Sequence, residues 1–221
     1  MEKIEQCRLA LLAAAQELTQ KGYLSATGGN LSARVPEENM MVITPSNYSY
    51  MKMTPEDICV LDLNLNPIAG ERKPSIESGM HAAIYLTRPD VNAVIHTHQA
   101  YPSTLAIIGK PIPPLFDEQV VFLGDAVEII PYAPSGSNEL RDLVAKQTRS
   151  GNNAYLMANH GALLLGNNLE RAMFNAAVLE KCAVAYLLAL CSQEKVSTLP
   201  AEALELSYAR LHEDYKKLFS K

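Results

Sequence analysis

KPSIESGMHAAIYLTRPDVNAVIHTH, residues 73–98, reads as a capped helix, a turn and a buried strand in immediate succession. Ser75 is placed to cap a helix running to about Leu86, and Pro89-Asp90 ends it. Val91 to Thr97 then forms an apolar run of strand length. Successive side chains of a strand alternate faces, so His96 and His98 point to the same side. Their ring nitrogens can meet on one cation at roughly 2.0–2.1 Å, a normal zinc–imidazole distance. Two histidines in an apolar strand are costly unless something satisfies them, because each ring carries a donor and an acceptor. Backbone and water are the plain alternative to a metal. Glu77 falls near the helix start, where a carboxylate is favoured electrostatically, either as a ligand or as part of a cap. His81 lies one turn later on the same face, either as a donor toward Glu77 or as a packed core histidine.

Outward from this stretch, elements alternate. Ile4, Cys7, Leu11, Leu12, Ala15 and Leu18 recur at helical spacing, and Gly22 stops that helix. Leu31 to Val35, Met40 to Ile43 and Ile58 to Leu63 are short β-type runs broken by Pro36, Pro45-Ser46-Asn47 and Pro55. Residues 101 to 108 read as helix, and Pro111, Pro113 and Pro114 mark a loop. Strands are expected at 119–123 and 127–130, a helix from Ser137 to about Thr148, and strands at Ala154 to Met157 and Ala162 to Leu165. A long helix spans Leu169 to about Cys191, and Pro200 opens a last one. Hairpin-like strands mixed with helices predict a mixed, largely antiparallel sheet covered by helices on its faces, in one domain over residues 1–221.

Two more segments bear on chemistry. Met157-Ala158-Asn159-His160-Gly161 puts a third histidine at the end of an apolar strand. His96, His98 and His160 with Glu77 make a donor set suited to a catalytic divalent ion, in which the carboxylate can leave the metal and act as acid or base. Ala26-Thr27-Gly28-Gly29-Asn30-Leu31-Ser32 and Ile43-Thr44-Pro45-Ser46-Asn47 are loops rich in backbone N–H groups and short polar side chains, suited to an anion or simply to turns.

Composition narrows the classes. The 221 residues are 48% hydrophobic and 19% charged, with a net charge of −5 and no basic stripe, so a nucleic-acid partner is not expected. No unbroken run of about 18 apolar residues is present, so no membrane span is expected. The charged N-terminus lacks the pattern of a secretory signal. Cys7, Cys59, Cys182 and Cys191 show no CxxC spacing and suit free thiols in a reducing cytoplasm.

The motifs ATGGNLSAR (26–34), ITPSNYSYMKMTPEDI (43–58), residues 73–98 and NHGALLLG (159–166) together resemble the class II aldolase/adducin family, over roughly residues 5 to 190. The resemblance implies a three-layer α/β/α sandwich, cytoplasmic residence and a homotetramer with active sites between subunits. It implies Zn2+, or another divalent ion such as Mn2+ or Co2+, on His96, His98 and His160, with Glu77 as fourth ligand and acid/base. It also assigns Gly29, Asn30, Ser46, Asn47 and Ser75 to the phosphate of a sugar-phosphate substrate. Three departures stand out. Asn47 replaces a frequent glycine, Ile76 replaces a serine, and Leu115-Phe116-Asp117-Glu118-Gln119 stands where the fuculose-type enzymes carry a catalytic tyrosine. Asp117 or Glu118 is then the candidate second acid/base, and Tyr208, His212 and Tyr215 are candidates to reach a neighbouring site. The implied reaction is aldol cleavage of a ketose phosphate, such as L-fuculose 1-phosphate, through a metal-stabilised enediolate, giving dihydroxyacetone phosphate and an aldehyde. Decarboxylation of a 3-oxo sugar acid phosphate, epimerisation and dehydration use the same kind of metal site. A non-catalytic adducin-like module is the alternative from another class.

Overall fold

The structure, a computed structural model, describes residues 2–218, with the side chains of residue 208 and residues 212–218 outside that description. Tyr208, His212 and Tyr215 therefore lie outside the described residues as far as their side chains are concerned. Eight strands form one sheet: β1 (Asn30–Arg34), β2 (Met40–Ile43), β3 (Cys59–Asp62), β4 (Pro67–Ala69), β5 (Ala93–Thr97), β6 (Ile129–Ile130), β7 (Ala154–Met157) and β8 (Gly161–Gly166). Their spatial order is β4-β3-β2-β1-β5-β8-β7-β6. Every pairing is antiparallel except β6 with β7. Seven helices accompany it among the described residues: α1 (Glu2–Gln20), α2 (Ser78–Thr87), α3 (Ala100–Ile107), α4 (Asp117–Leu123), α5 (Asn138–Gln147), α6 (Leu169–Cys191) and α7 (Ala201–Leu218).

Strand alternation divides the core between the two faces of the sheet. Leu31, Ala33, Ile95, Leu156 and Leu164 face a cluster completed by Leu11, Leu18, Leu105, Leu179 and Cys182, the inner sides of α1, α3 and α6. Val94, Tyr155, Met157, Leu163 and Leu165 face the opposite cluster, with Met80, Ile84, Tyr85, Leu140 and Val144 from α2 and α5. Central strands buried on both faces need helices on both, which produces the expected three-layer α/β/α sandwich. His96 lies two residues after Val94 on β5 and so belongs to the α2 side, while Asn30 is its cross-strand partner on β1.

Four expectations change. Residues 119–123 are not a strand but lie within α4. Their β-branched composition is overridden by packing, with Val120 and Leu123 buried one helical turn apart. The buried Gln119 amide donates to the carbonyls of Pro113 and Asp125, and Gly124, at φ +104°, ends the helix. The helix expected from Ser75 begins at Ser78. Ser75 instead holds a turn, its Oγ accepting from the Glu77 N–H at 3.2 Å and its carbonyl from the Ser78 N–H at 3.1 Å. The short edge strand β4 carries no hydrophobic alternation, and its Pro67 is tolerated because one side of an edge strand needs no ladder partner. Finally, α6 is by length and composition long and apolar enough to cross a membrane, although Glu180 and Lys181 interrupt its apolar run. In the fold it packs on β5, β8, α3 and α4.

Leu164, fully buried on central strand β8, tests the core. Leu164→Ala is expected to destabilise the protein by about 2–5 kcal/mol through lost burial and the cavity left behind. Urea unfolding measures it, and a loss below about 1 kcal/mol would contradict the packing described.

Candidate metal centre

Three chain segments deliver the histidines. His96 ends the buried part of β5, His98 follows where the strand gives way to α3, and His160 occupies the turn between β7 and β8. Their Nε2 atoms converge: His96 to His98 is 3.1 Å and His96 to His160 is 3.2 Å. Glu77, 3% exposed just before α2, brings Oε2 to 3.5 Å from His96 Nε2 and Oε1 to 3.3 Å from His160 Nε2. Four ligand atoms tetrahedrally placed about 2.0–2.1 Å from a zinc ion stand about 3.3–3.4 Å apart. The four spacings given bracket that value, and the three histidine ligand atoms all lie within 4.8 Å of one another.

Protonation supports the same reading. His96 Nδ1 lies 2.9 Å from the Ala162 carbonyl, which can only accept, so the proton sits on Nδ1. His96 Nε2 is then a bare lone pair facing a carboxylate oxygen and two other ring nitrogens. A cation answers all of these lone pairs at once, and the donor set fits a divalent ion. Burial pushes the His96 and His98 imidazoles down, toward the neutral form a ligand requires. Burial alone pushes the Glu77 carboxyl up, but the neighbouring His96, hydrogen bonds from Ser135 and Asn30, and His160 outweigh it and hold the carboxyl low.

Glycines make room for the rings. A Cβ on Gly28 would stand 2.6 Å from His98 Nδ1, and one on Gly161 would stand 2.9 Å from His98 Cδ2. Both positions need glycine for close approach rather than for flexibility.

Beside the centre lies a cavity of about 160 Å³ lined by Gly28, Gly29, Ser46, Asn47, Ser75 and Ile76, together with Asn30, Glu77, His98, Ser135 and His160. All five candidate phosphate contacts thus reach one cavity with Glu77. Asn47 has φ +51°, a left-handed conformation that asparagine adopts more readily than most residues. Asn30 differs from the expectation in its bonding. Its Nδ2 donates to Glu77 Oε2 at 2.7 Å and its Oδ1 meets His81 Nε2 at 2.5 Å, so its amide is already engaged. His81 touches Asn30 and Ser32 rather than Glu77. Burial pushes its imidazole down to about 3.

Asp117 and Glu118 stand at the start of α4 and are not among the residues lining this cavity. Glu118 pairs with Lys181, and Asp117 accepts from Ser207. Ser135 escaped the sequence reading although its Oγ donates to Glu77 Oε1 at 2.7 Å. In Pro134-Ser135-Gly136-Ser137 its hydroxyl looks no different from that of Ser137, which only caps α5. A larger cavity of about 680 Å³ shares Ser46 and Asn47. Its main cation, Arg72, is already bound to Asp57 and stacked on Tyr48.

Residues 9–187 match the family described as Class II Aldolase and Adducin N-terminal domain. The chain is 36% identical to the 5-deoxy-D-ribulose 1-phosphate aldolase of Bacillus thuringiensis over 179 residues, covering 81% of this chain and 83% of that protein. It is 33% identical to the L-fuculose phosphate aldolase of Haemophilus influenzae over 196 residues, 89% of each. A solved structure of L-fuculose 1-phosphate aldolase matches with a TM-score of 0.88 at 35% identity, over 94% of this chain and 96% of that one.

Elemental analysis of the purified protein is expected to find about one divalent ion per chain, lost in the His96→Ala, His98→Ala double variant because two of four ligands are gone. Full occupancy in that variant would place the ion elsewhere.

Proposed function

Because the chain belongs to the class II aldolase and adducin family, we propose that this aldolase-type lyase cleaves a ketose 1-phosphate between C3 and C4, giving dihydroxyacetone phosphate and a short aldehyde. The observation that carries the reading is the approach of His98, His160 and the Glu77 carboxylate to His96 Nε2, with Glu77 also reaching His160, at 3.1–3.5 Å, beside a cavity whose lining includes Ser46, Ser75 and Ser135. The relatives are named for 5-deoxy-D-ribulose 1-phosphate and L-fuculose phosphate, two ketose phosphates. An adducin-like module without catalysis has no need of this donor set.

A divalent cation on His96, His98, His160 and Glu77, Zn2+ by its nitrogen and oxygen donors with Mn2+ or Co2+ as substitutes, supplies positive charge where the oxygen next to the breaking bond turns negative. Glu77 then transfers the proton to or from C3. Ser135 and Asn30 each donate to one of its oxygens and so fix the plane of the carboxylate before the proton moves. Of the residues the family resemblance assigns to the phosphate, Gly29, Ser46, Asn47 and Ser75 remain to receive it, the Asn30 amide being engaged by Glu77 and His81. The Ser75 oxygen accepts from the Glu77 N–H, which leaves the hydroxyl proton free to donate to an anion. Ile76, more than half exposed at the cavity, offers no donor. The second acid/base role of Asp117 or Glu118 requires a neighbouring subunit, since within one chain both stand outside the cavity lining. The homotetramer belongs to the proposal for that reason. A reducing, cytoplasmic setting agrees with the free thiols of Cys7, Cys59, Cys182 and Cys191.

The direct test incubates metal-loaded protein with matched ketose 1-phosphates and 3-oxo sugar acid phosphates, measuring aldehyde and CO₂ separately. Aldehyde with dihydroxyacetone phosphate supports the proposal, and CO₂ without aldehyde replaces it with decarboxylation. In the same assay Glu77→Gln is expected to lower turnover by ~10² or more, the usual scale for a lost general base. Turnover at the wild-type rate would reduce Glu77 to a ligand. Ile76→Ser is expected to tighten inhibition by inorganic phosphate by up to about tenfold, and Ser75→Ala to weaken it similarly, as one charged hydrogen bond is gained or lost. No change in either variant, with the unphosphorylated ketose cleaved equally well, would remove the phosphate from the reading.

A further inference from the structure

Strand β1 and helix α2 meet through polar groups alone along one line. Asn30, Ser32 and Arg34 alternate on one face of β1, while Glu77, which caps α2, and His81 and Tyr85 within it follow one another at four-residue intervals. Two strand residues advance about 6.6 Å and four helical residues about 6 Å, so the two rows interlock nearly in step. Glu77 Oε2 accepts from Asn30 Nδ2 at 2.7 Å, and Asn30 Oδ1 meets His81 Nε2 at 2.5 Å. His81 Nδ1 meets Ser32 Oγ at 2.6 Å, and Ser32 Oγ meets the Tyr85 hydroxyl at 2.7 Å. Arg34 closes the row by donating to the Tyr85 carbonyl at 2.7 Å, with its guanidinium 4.8 Å from the Tyr85 ring. Asn30, Ser32, Glu77, His81 and Tyr85 are all buried.

The direction of each bond follows from one end. An ionised carboxylate only accepts, so the Asn30 amide must turn its NH₂ toward Glu77 and its oxygen toward His81. His81 Nε2 then carries the proton and Nδ1 is a lone pair. Ser32 donates to that lone pair and accepts from the Tyr85 hydroxyl. His96 holds the opposite tautomer, with its proton on Nδ1 facing the Ala162 carbonyl. If the Asn30 amide were reversed, its oxygen would face a carboxylate oxygen and its NH₂ would face the His81 N–H.

We propose that His81 is a positioning residue: in its Nε2–H tautomer, with Nδ1 satisfied by the Ser32 hydroxyl, it holds the Asn30 amide so that a donor is presented to Glu77 Oε2. This rests on the reading that Glu77 moves the proton in the reaction. Its consequence is a Glu77 carboxylate whose Oε2 is held in one place by Asn30 as the proton moves. Partners of this kind, one bond removed from a metal site, typically alter activity or metal affinity 10- to 100-fold when lost.

Nitrogen NMR of protein labelled in its histidine rings provides a test that does not depend on turnover. His81 is expected to be protonated on Nε2 only and His96 on Nδ1, and a proton on His81 Nδ1 overturns the proposal. In kinetics on the metal-saturated enzyme, His81→Leu should lower kcat by about 10- to 100-fold with KM and metal content held. His81→Gln, whose amide NH₂ reaches nearly the place of Nε2, should recover most of the loss. A wild-type kcat in His81→Leu, or equal losses in both variants tracking an equal loss of Tm, overturns it in favour of plain packing. Should His81→Leu fail to fold, Ser32→Ala carries the test. It leaves His81 Nδ1 without its hydroxyl partner and is expected to lower kcat at least threefold with metal content held, and an unchanged kcat is the contrary result. Absence of ketose phosphate cleavage by the wild type, with the tautomers as expected, would instead overturn the aldolase reading and leave the lock intact.

Discussion

A carboxylate that is 3% exposed has to be answered by its surroundings, and the answer to Glu77 organises the site. An isolated buried charge is among the costliest things a fold can contain. Here each Glu77 oxygen receives one hydrogen bond and faces one imidazole: Ser135 and His160 on Oε1, Asn30 and His96 on Oε2. These four partners come from the loop before α5, the β7–β8 turn, β1 and β5. A single charge thereby ties together elements distant in sequence, and a divalent ion at this donor set would complete the compensation.

The sheet makes this possible because its two faces are used differently. Toward α1, α3 and α6 the central strands present apolar side chains, with Thr97 at the end of β5 bonded to Gln99, and the register is set by burial. Toward α2 and α5 the same strands carry apolar residues at one end and Asn30, Ser32 and His96 nearer the other. Thus the α2 layer is both a core and the wall of a polar site. Where helix and strand repeats run nearly in step, polar groups pair without leaving unsatisfied donors, which keeps that wall from costing the fold its stability. The glycines at 28 and 161 serve the same end by letting backbone approach the histidine rings closely enough to exclude other conformations.

Much of this was legible in the amino-acid order. The alternation of β5 put His96 and His98 on one side, the apolar runs before and after His160 marked a hairpin, and the periods of α1 and α6 were plain. Those features are local: they depend on the period of a strand or helix and on which residues end it. The motifs around Asn30, Ser46, Ser75 and Glu77 were likewise readable as polar loops, and their order along the chain was enough to show the family resemblance.

What only the tertiary structure decided concerns partners far apart in sequence. Residues 119–123 carry strand-like side chains, yet burial of Val120 and Leu123 and the bonds of Gln119 make them helical. Ser135 is one hydroxyl among several in a turn until folding places it 2.7 Å from Glu77, 58 residues away in sequence. His81, readable either as a partner of Glu77 or as core, is both a packed core histidine and one bond removed from the carboxylate. That distinction depends on Asn30, 51 residues away. The sequence by itself determined the elements and the kinds of ligand, because periodicity and residue chemistry act over a few positions. The tertiary structure decided which hydrogen bonds and tautomers those residues adopt, because a buried donor or acceptor is satisfied only by whatever group the fold brings to it.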